Sequence, residues 1–185
     1  MAENPQDAWS GVYCTRDYNP YKFQGSKNPN FGSLDGRLLD FKEGKSPAVR
    51  AEIQEFLAAL KDLKLPKGTL IAIVPGHAAA ASNAGKPLAR VAKVIAAMDS
   101  RFVAEFDALI RKKTIPKLSK GGGRSVETHI ASMGVQKPAN LKGKTVVVLD
   151  DTVTSEGSLT AARKLLEEAG AKVAAIGLGR TVKYL

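Results

Sequence analysis

From residue 46 onward, apolar positions along the chain recur in two alternating patterns. Val49, Ile53, Phe56, Leu57, Leu60 and Leu63 return at helical spacing, which predicts an amphipathic helix over 47–63. Ser46 stands before it as an N-cap, Pro47 suits its first turn, and Pro66 and Gly68 close it. The next apolar residues are continuous. Positions 70–74 read L-I-A-I-V, the pattern of a strand covered on both faces. Pro87 then opens a second helix whose stripe is Leu88, Val91, Ala92, Val94, Ile95 and Met98. Residues 102–110 suggest another strand, and 125–133 a short helix. A β-branched strand over 144–149, a polar loop over 150–157, a helix over 158–169 stopped by Gly170, and an apolar strand over 172–178 complete the series.

A strand, a helix and a second strand within 144–178 form a right-handed crossover unit. Two such units predict an α/β fold, an open and mostly parallel sheet flanked by helices. Ligands of such sheets bind beyond the carboxyl ends of the strands. The candidate site therefore lies in the loops over 75–86 and 150–157. The first 45 residues follow a different grammar. Seven of the eleven aromatics fall within the first 41 residues, among turn-forming clusters such as N-P-Y and K-N-P-N-F-G. This stretch reads as an irregular or short-stranded flap or hood, 1–45, resting on a domain over 46–185. It serves either as a lid over the site or as a structural cover.

Composition narrows the class. At 185 residues, 44% hydrophobic and 25% charged, the chain suits one globular domain. No apolar run approaches the ~18 residues of a membrane span, and M-A-E-N-P-Q-D carries no signal-peptide pattern, so a cytoplasmic protein is expected. The single Cys14 excludes an internal disulfide and a cysteine metal cluster. His77 and His129 are too few for a histidine zinc site without carboxylates. The net charge of +10 points to an anionic partner: nucleic acid, a membrane surface or a phosphorylated small molecule. Solubility alone is the plainer reading.

The densest chemistry is V-V-V-L-D-D-T-V-T-S-E-G-S-L, ending at Leu159. Asp150 and Asp151 stand together at a strand tip, followed by the hydroxyls of Thr152, Thr154, Ser155 and Ser158, by Glu156 and Gly157, and by a helix start. Unpaired N–H groups and the partial positive charge of a helix N-terminus suit a phosphate. Two adjacent carboxylates suit vicinal hydroxyls, directly or through a metal ion. Carboxylates that merely cap and turn the chain are the plainer alternative.

This motif resembles the phosphoribosyl pyrophosphate (PRPP) loop of type I phosphoribosyltransferases: four apolar residues, two acids, two variable positions and a Thr/Gly-rich turn. Upstream, I-R-K-K-T-I-P-K-L-S-K-G-G-G-R-S-V-E-T-H-I-A-S-M over 110–133 looks like the competence protein F-like branch of that fold. The resemblance covers roughly 68–180. It implies a phosphoribosyltransferase of nucleotide metabolism, with PRPP as donor, pyrophosphate as product and Mg²⁺ as cofactor held through Asp150 and Asp151. By the same resemblance, those two acids hold the ribose hydroxyls. The 154–158 turn, with Thr154, Ser155, Gly157 and Ser158, receives the 5′-phosphate, and Thr152 and Glu156 count among the ligand-binding positions of the same loop. Gly76, His77 and Ala78 lie where the family binds pyrophosphate, and Lys113, Lys117 and Arg124 belong to a loop that closes over the leaving group. Six cations and no acid lie between 108 and 126, around a run of three glycines. Such a segment also fits a nucleic-acid arm or a solvated loop, although it has no interleaved aromatics for stacking.

Two departures stand out. Glu156 occupies a position where the family carries Gly. A carboxylate there repels a phosphate unless it points away, and a backbone needing positive φ is strained without Gly. Thr154 stands where purine enzymes of the family often place an acid, which argues against a hypoxanthine or guanine substrate. The acceptor is left open among nucleobase, amine and nucleotide, and a homodimer fits the same reading. The rival function is a relative of the same fold that senses PRPP or a nucleotide, or binds nucleic acid, and catalyses nothing.

Overall fold

The computed structural model describes residues 4–116 and 125–182. Its centre is a five-stranded sheet in the order β1 (Tyr13–Tyr18), β9 (Lys172–Thr181), β8 (Thr145–Val153), β4 (Thr69–Ile73) and β5 (Phe102–Ala104). Every neighbouring pair is parallel. The inner strands β4, β8 and β9 are continuous apolar runs because both sheet faces are covered. On one face α1 (Ser33–Lys42), α2 (Ser46–Lys61) and α3 (Pro87–Met98) pack Leu38, Phe41, Phe56, Leu60 and Ile95 against Ile71, Ile73, Val147 and Leu149. On the other, α5 (Gly157–Glu168) packs Leu159, Ala162 and Leu166 against Val146, Val148 and Val173.

The connections decide where a ligand can sit. From β4 the chain crosses through α3 to β5, on one side. From β8 it crosses through α5 to β9, on the other. β4 and β8 are hydrogen-bonded neighbours, Leu70 to Ile73 opposite Val146 to Leu149. The crevice beyond their carboxyl ends is thus the topological switch point of the sheet.

Several boundaries differ from the sequence reading. Ser46 is the first helical residue rather than a cap; the cap is Lys45, whose side chain makes no capping bond. Met98 ends α3 but is 59% exposed, because the helix's last turn overhangs the core. The strand expected over 102–110 is two strands in different sheets. β5 extends the main sheet, whereas β6 (Leu109–Arg111) pairs antiparallel with β7 (Met133–Val135). β8 continues past residue 149 to Val153, so Asp150, Asp151 and Thr152 ride on the strand end rather than in a loop. β9 likewise runs on to Thr181.

Residues 4–45 are partly woven into the body and, against the irregular or short-stranded reading, include the ten-residue helix α1. β1 forms an edge of the central sheet, and a 3-10 turn (Pro5–Trp9) precedes it. Carbonyls of Ala8 and Gly11 accept hydrogen bonds from Arg163 of α5. Between β1 and α1 lies the β2 (Lys22–Phe23) and β3 (Ser26–Lys27) hairpin. Buried Asp35 organises this excursion by accepting backbone N–H bonds from Asn19 (2.8 Å) and Gly32 (2.8 Å). Among the described residues, no helix is long and apolar enough to cross a membrane.

Candidate active site

A cleft of about 710 Å³ opens over the carboxyl ends of β4 and β8. Its floor is Ile73, Val74 and the strand-tip acids, and its walls include Tyr18, Lys42, Arg111 and His129. The four residues before the acids, Val146 to Leu149, are fully buried, so β8 delivers Asp150 and Asp151 from a rigid support.

Asp150 accepts a hydrogen bond from the Asp151 backbone N–H (2.8 Å) and from the Ser158 hydroxyl (2.9 Å). Ser158 sits in the first turn of α5, so this bond ties the acid to the helix start. Asp151 faces the Lys42 ammonium at 3.4 Å. Burial, and then the neighbouring Asp151 charge, push the Asp150 carboxyl up to about 7, against the opposing pull of Ser158, the Asp151 N–H and Lys42. A pair of hard oxygen donors in which one resists ionisation is a place that gains from a cation. The donors therefore fit Mg²⁺, which keeps water and substrate oxygens among its ligands. Among the described residues, no group of three His, Cys, Asp or Glu side chains could hold a metal alone.

The loop after β4 is pinned from below. Arg111, only 2% exposed, donates to the carbonyls of Gly76 (2.8 Å) and Pro75 (3.2 Å) and to the Ser132 hydroxyl (2.5 Å). Burial lowers its pKa and the Asp150 charge opposes that shift. Farther along, buried Asn83 donates to the carbonyls of Phe106 (3.0 Å) and Leu109 (2.7 Å). Ile115 N–H bonds the His77 carbonyl (2.9 Å), and Ala79 N–H bonds the Thr114 hydroxyl (2.9 Å). The Lys86 ammonium lies so close to Gly76 that a Cβ there would approach it to 3.2 Å. Gly76, His77 and Lys86 therefore share one wall of the cleft, with the His77 side chain exposed.

The turn before α5 has the strain that its sequence implies. Glu156 caps the helix with φ 57, in the left-handed region. Its carboxylate pairs with Arg180, whose other arm donates to the Val12 carbonyl (2.8 Å). Both line a smaller hollow of about 440 Å³ beside the cleft, with Asp17 and Ser155. Thr154 borders both spaces, and its hydroxyl meets that of Thr181 at 3.0 Å. The Glu156 charge is thus neutralised by Arg180 and turned toward the side hollow.

His129, on α4 (Val126–Ser132), is 2% exposed, and neither ring nitrogen has a hydrogen-bond partner. Burial first, and the Arg111 charge second, lower its pKa. The buried Thr152 hydroxyl also lacks a partner.

Of the residues singled out from sequence, the cleft brings together Asp150, Asp151, Thr152, Thr154, Ser158, Gly76 and His77. Ser155 and Glu156 border the side hollow, and Gly157 is buried as the first residue of α5. Ala78 and Lys113 are exposed and do not line the cleft. Lys117 and Arg124 lie outside the described residues. Lys42, Tyr18, Lys86, Arg111 and Thr181 reach the cleft without having been singled out for it. The basic run had marked Arg111 as a cation. Lys42 comes from the N-terminal stretch, and its spacing carried no signal.

A family model described as "Phosphoribosyl transferase domain" matches residues 86–179, just over half of the chain. Two curated relatives are both adenine phosphoribosyltransferases. One, from Treponema denticola, is 44% identical over 66 residues, 35% of either chain. The other, from Corynebacterium kroppenstedtii, is 49% identical over 57 residues, 31% of either chain. The match thus spans about a third of the length of these relatives. A solved structure of Trypanosoma cruzi hypoxanthine phosphoribosyl transferase aligns over 86% of this chain and 77% of that one, at 12% identity and a TM-score of 0.38.

Proposed function

Since the chain belongs to the phosphoribosyl transferase domain family, we propose that it is an enzyme that moves ribose 5-phosphate from PRPP to a nitrogen acceptor and releases pyrophosphate. One observation carries the reading. A carboxylate pair stands at the switch point of a parallel sheet, tied by Ser158 to the start of α5. Asp150 and Asp151 receive the ribose hydroxyls, and the 154–158 turn with the α5 N-terminus receives the 5′-phosphate. The Gly76–His77 wall, with Lys86 beside it, receives the pyrophosphate. Lys113, Lys117 and Arg124 are assigned to closure over the leaving group, where cations offset developing negative charge. As a bond from the acceptor nitrogen to C1 of the ribose forms, the bond from C1 to the pyrophosphate oxygen breaks, and the acceptor's proton passes to solvent. Asp150 and Asp151 would hold Mg²⁺, which would supply charge neutralisation for the pyrophosphate.

The acceptor proposed first is adenine, because both curated relatives are named for it. The absence of an acid at Thr154 agrees with that choice over hypoxanthine or guanine. A narrower kinship with the competence protein F-like branch, and a cytoplasmic setting, belong to the same proposal. A second reading, PRPP sensing without turnover, is favoured by Glu156, which sets a strained non-glycine residue at the start of α5.

Pyrophosphate release from PRPP and Mg²⁺ separates the two. It is measured across adenine, hypoxanthine, guanine and simple amines. The enzyme reading expects turnover with at least one base, and a loss of about 100-fold or more in Asp150→Asn and Asp151→Asn. PRPP binding without release for any acceptor contradicts it and leaves the sensing reading.

A further inference from the structure

The cleft holds two polar side chains whose hydrogen-bonding capacity is unspent. His129 lines it at 2% exposure with both ring nitrogens unpartnered, and Thr152 lines it with a buried, unpartnered hydroxyl. Buried polar groups are nearly always bonded, so each exception asks for a reason. Three neighbouring polar side chains, by contrast, are bonded. Arg111 makes three hydrogen bonds, Asp150 accepts two, and Ser158 donates one. The unspent groups share the cleft with apolar walls from Phe41, Leu88 and Ile115. That combination suits a flat ring with polar edges better than a pyrophosphate.

We propose that His129 is a specificity residue of the acceptor subsite, hydrogen-bonding the edge of a neutral heteroaromatic base, with Thr152 as a second contact. The inference rests on the transfer reaction and the base acceptor proposed above and adds the residue that reads that acceptor. A neutral imidazole offers one N–H donor and one nitrogen acceptor. The two nitrogens point away from each other, so one of them meets the edge of a nucleobase, which carries a partner for either. The alternative, that His129 binds pyrophosphate as a cation, runs against its surroundings. Burial and the Arg111 guanidinium both oppose the imidazolium form. The same two causes make His129 a poor proton acceptor for the attacking nitrogen, so its role is recognition.

The test is calorimetric titration of the whole protein with adenine, hypoxanthine, guanine and uracil, and separately with PRPP and Mg²⁺. It compares wild type with His129→Phe, which fills the same space without polar atoms, and His129→Asn, which keeps a donor and an acceptor. The expected result is a loss of at least about 10-fold in base affinity for the Phe variant, partial recovery in the Asn variant, and PRPP affinity within about 2-fold of wild type. Retained PRPP affinity also shows that the variants fold. Equal base affinity in wild type and His129→Phe overturns the proposal, as does a loss confined to PRPP. If wild type binds PRPP but no base, the acceptor subsite fails and the PRPP reading stands. If it binds neither, both fail.

Discussion

At the scale of single residues, the strained turn makes the sharpest prediction. Glu156 holds φ 57, which costs a non-glycine residue roughly 1–2 kcal/mol. Its partner Arg180 returns little, since both side chains are substantially exposed and such pairs are worth about 0–1 kcal/mol. Glu156→Gly is therefore expected to be at least as stable as wild type in thermal melts and to bind PRPP more tightly. Weaker PRPP binding would show that the carboxylate assists the site. His129 adds a pH dependence. Its folded pKa is lowered, so the unfolded ring takes a proton more readily. The stability this contributes is full above the unfolded value of about 6.5 and is lost as pH falls through the folded pKa. Thermal midpoints measured from pH 7.5 downward should fall less in His129→Phe than in wild type. The acid pair and the turn after it were legible in sequence, because their spacing is local. Arg111 was visible only as one cation in a basic run. Its bonds to Pro75, Gly76 and Ser132 span 21 to 36 residues, and no local pattern encodes them.

At the scale of elements, the sheet imposes its own demands. Gly177 and Gly179 on β9 stand opposite Asp150 and Thr152 in register. A Cβ at Gly177 would meet Val153 at 2.4 Å and Cys14 at 3.1 Å, and one at Gly179 would meet Leu38 and Tyr18 at 2.9 Å. Ala at either position is expected to destabilise by about 1–3 kcal/mol in denaturant melts, because branched and packed neighbours must shift. At Gly134 the obstruction is only the far end of Lys112, so Gly134→Ala should cost much less. Glu52 links β1, α1 and α2. It is fully buried and bonded by Arg16 (2.7 and 2.9 Å) and Arg37 (3.0 Å). Glu52→Ala is expected to cost about 1–3 kcal/mol, since it removes buried charge-assisted bonds while Glu55 still pairs with both guanidiniums. The long helices and inner strands were readable, because periodicity and continuous apolar runs report burial directly. The 102–110 region was not. Its apolar ends belong to two hydrophobic clusters on opposite faces of the sheet, Phe102 in one and Leu109 in the other. An apolar run does not show which face it serves.

At the scale of the molecule, the +10 charge gains a local meaning. Lys42, Lys86 and Arg111 converge on one cleft with the two acids, drawn from the end of α1, the start of α3 and β6. Cations on a concave, partly apolar wall raise the local concentration of an anionic ligand, and PRPP is the one proposed above. Association should therefore slow as salt rises, more steeply for wild type than for Lys42→Ala, in stopped-flow binding. The parallel order of the sheet was legible in the repeated strand–helix–strand pattern. The place of β1 at its edge was not, because that strand pairs with β9 across most of the chain. The central claim is transfer of a ribose phosphate at the β4–β8 crevice. Its most direct test is the mass of the product formed from PRPP, Mg²⁺ and adenine. The account predicts a species with the mass of the base plus ribosyl phosphate, formed one-to-one with pyrophosphate by wild type and lost in the Asp150→Asn, Asp151→Asn double variant. PRPP bound but recovered unchanged with every base, or product formed equally by that double variant, would contradict it.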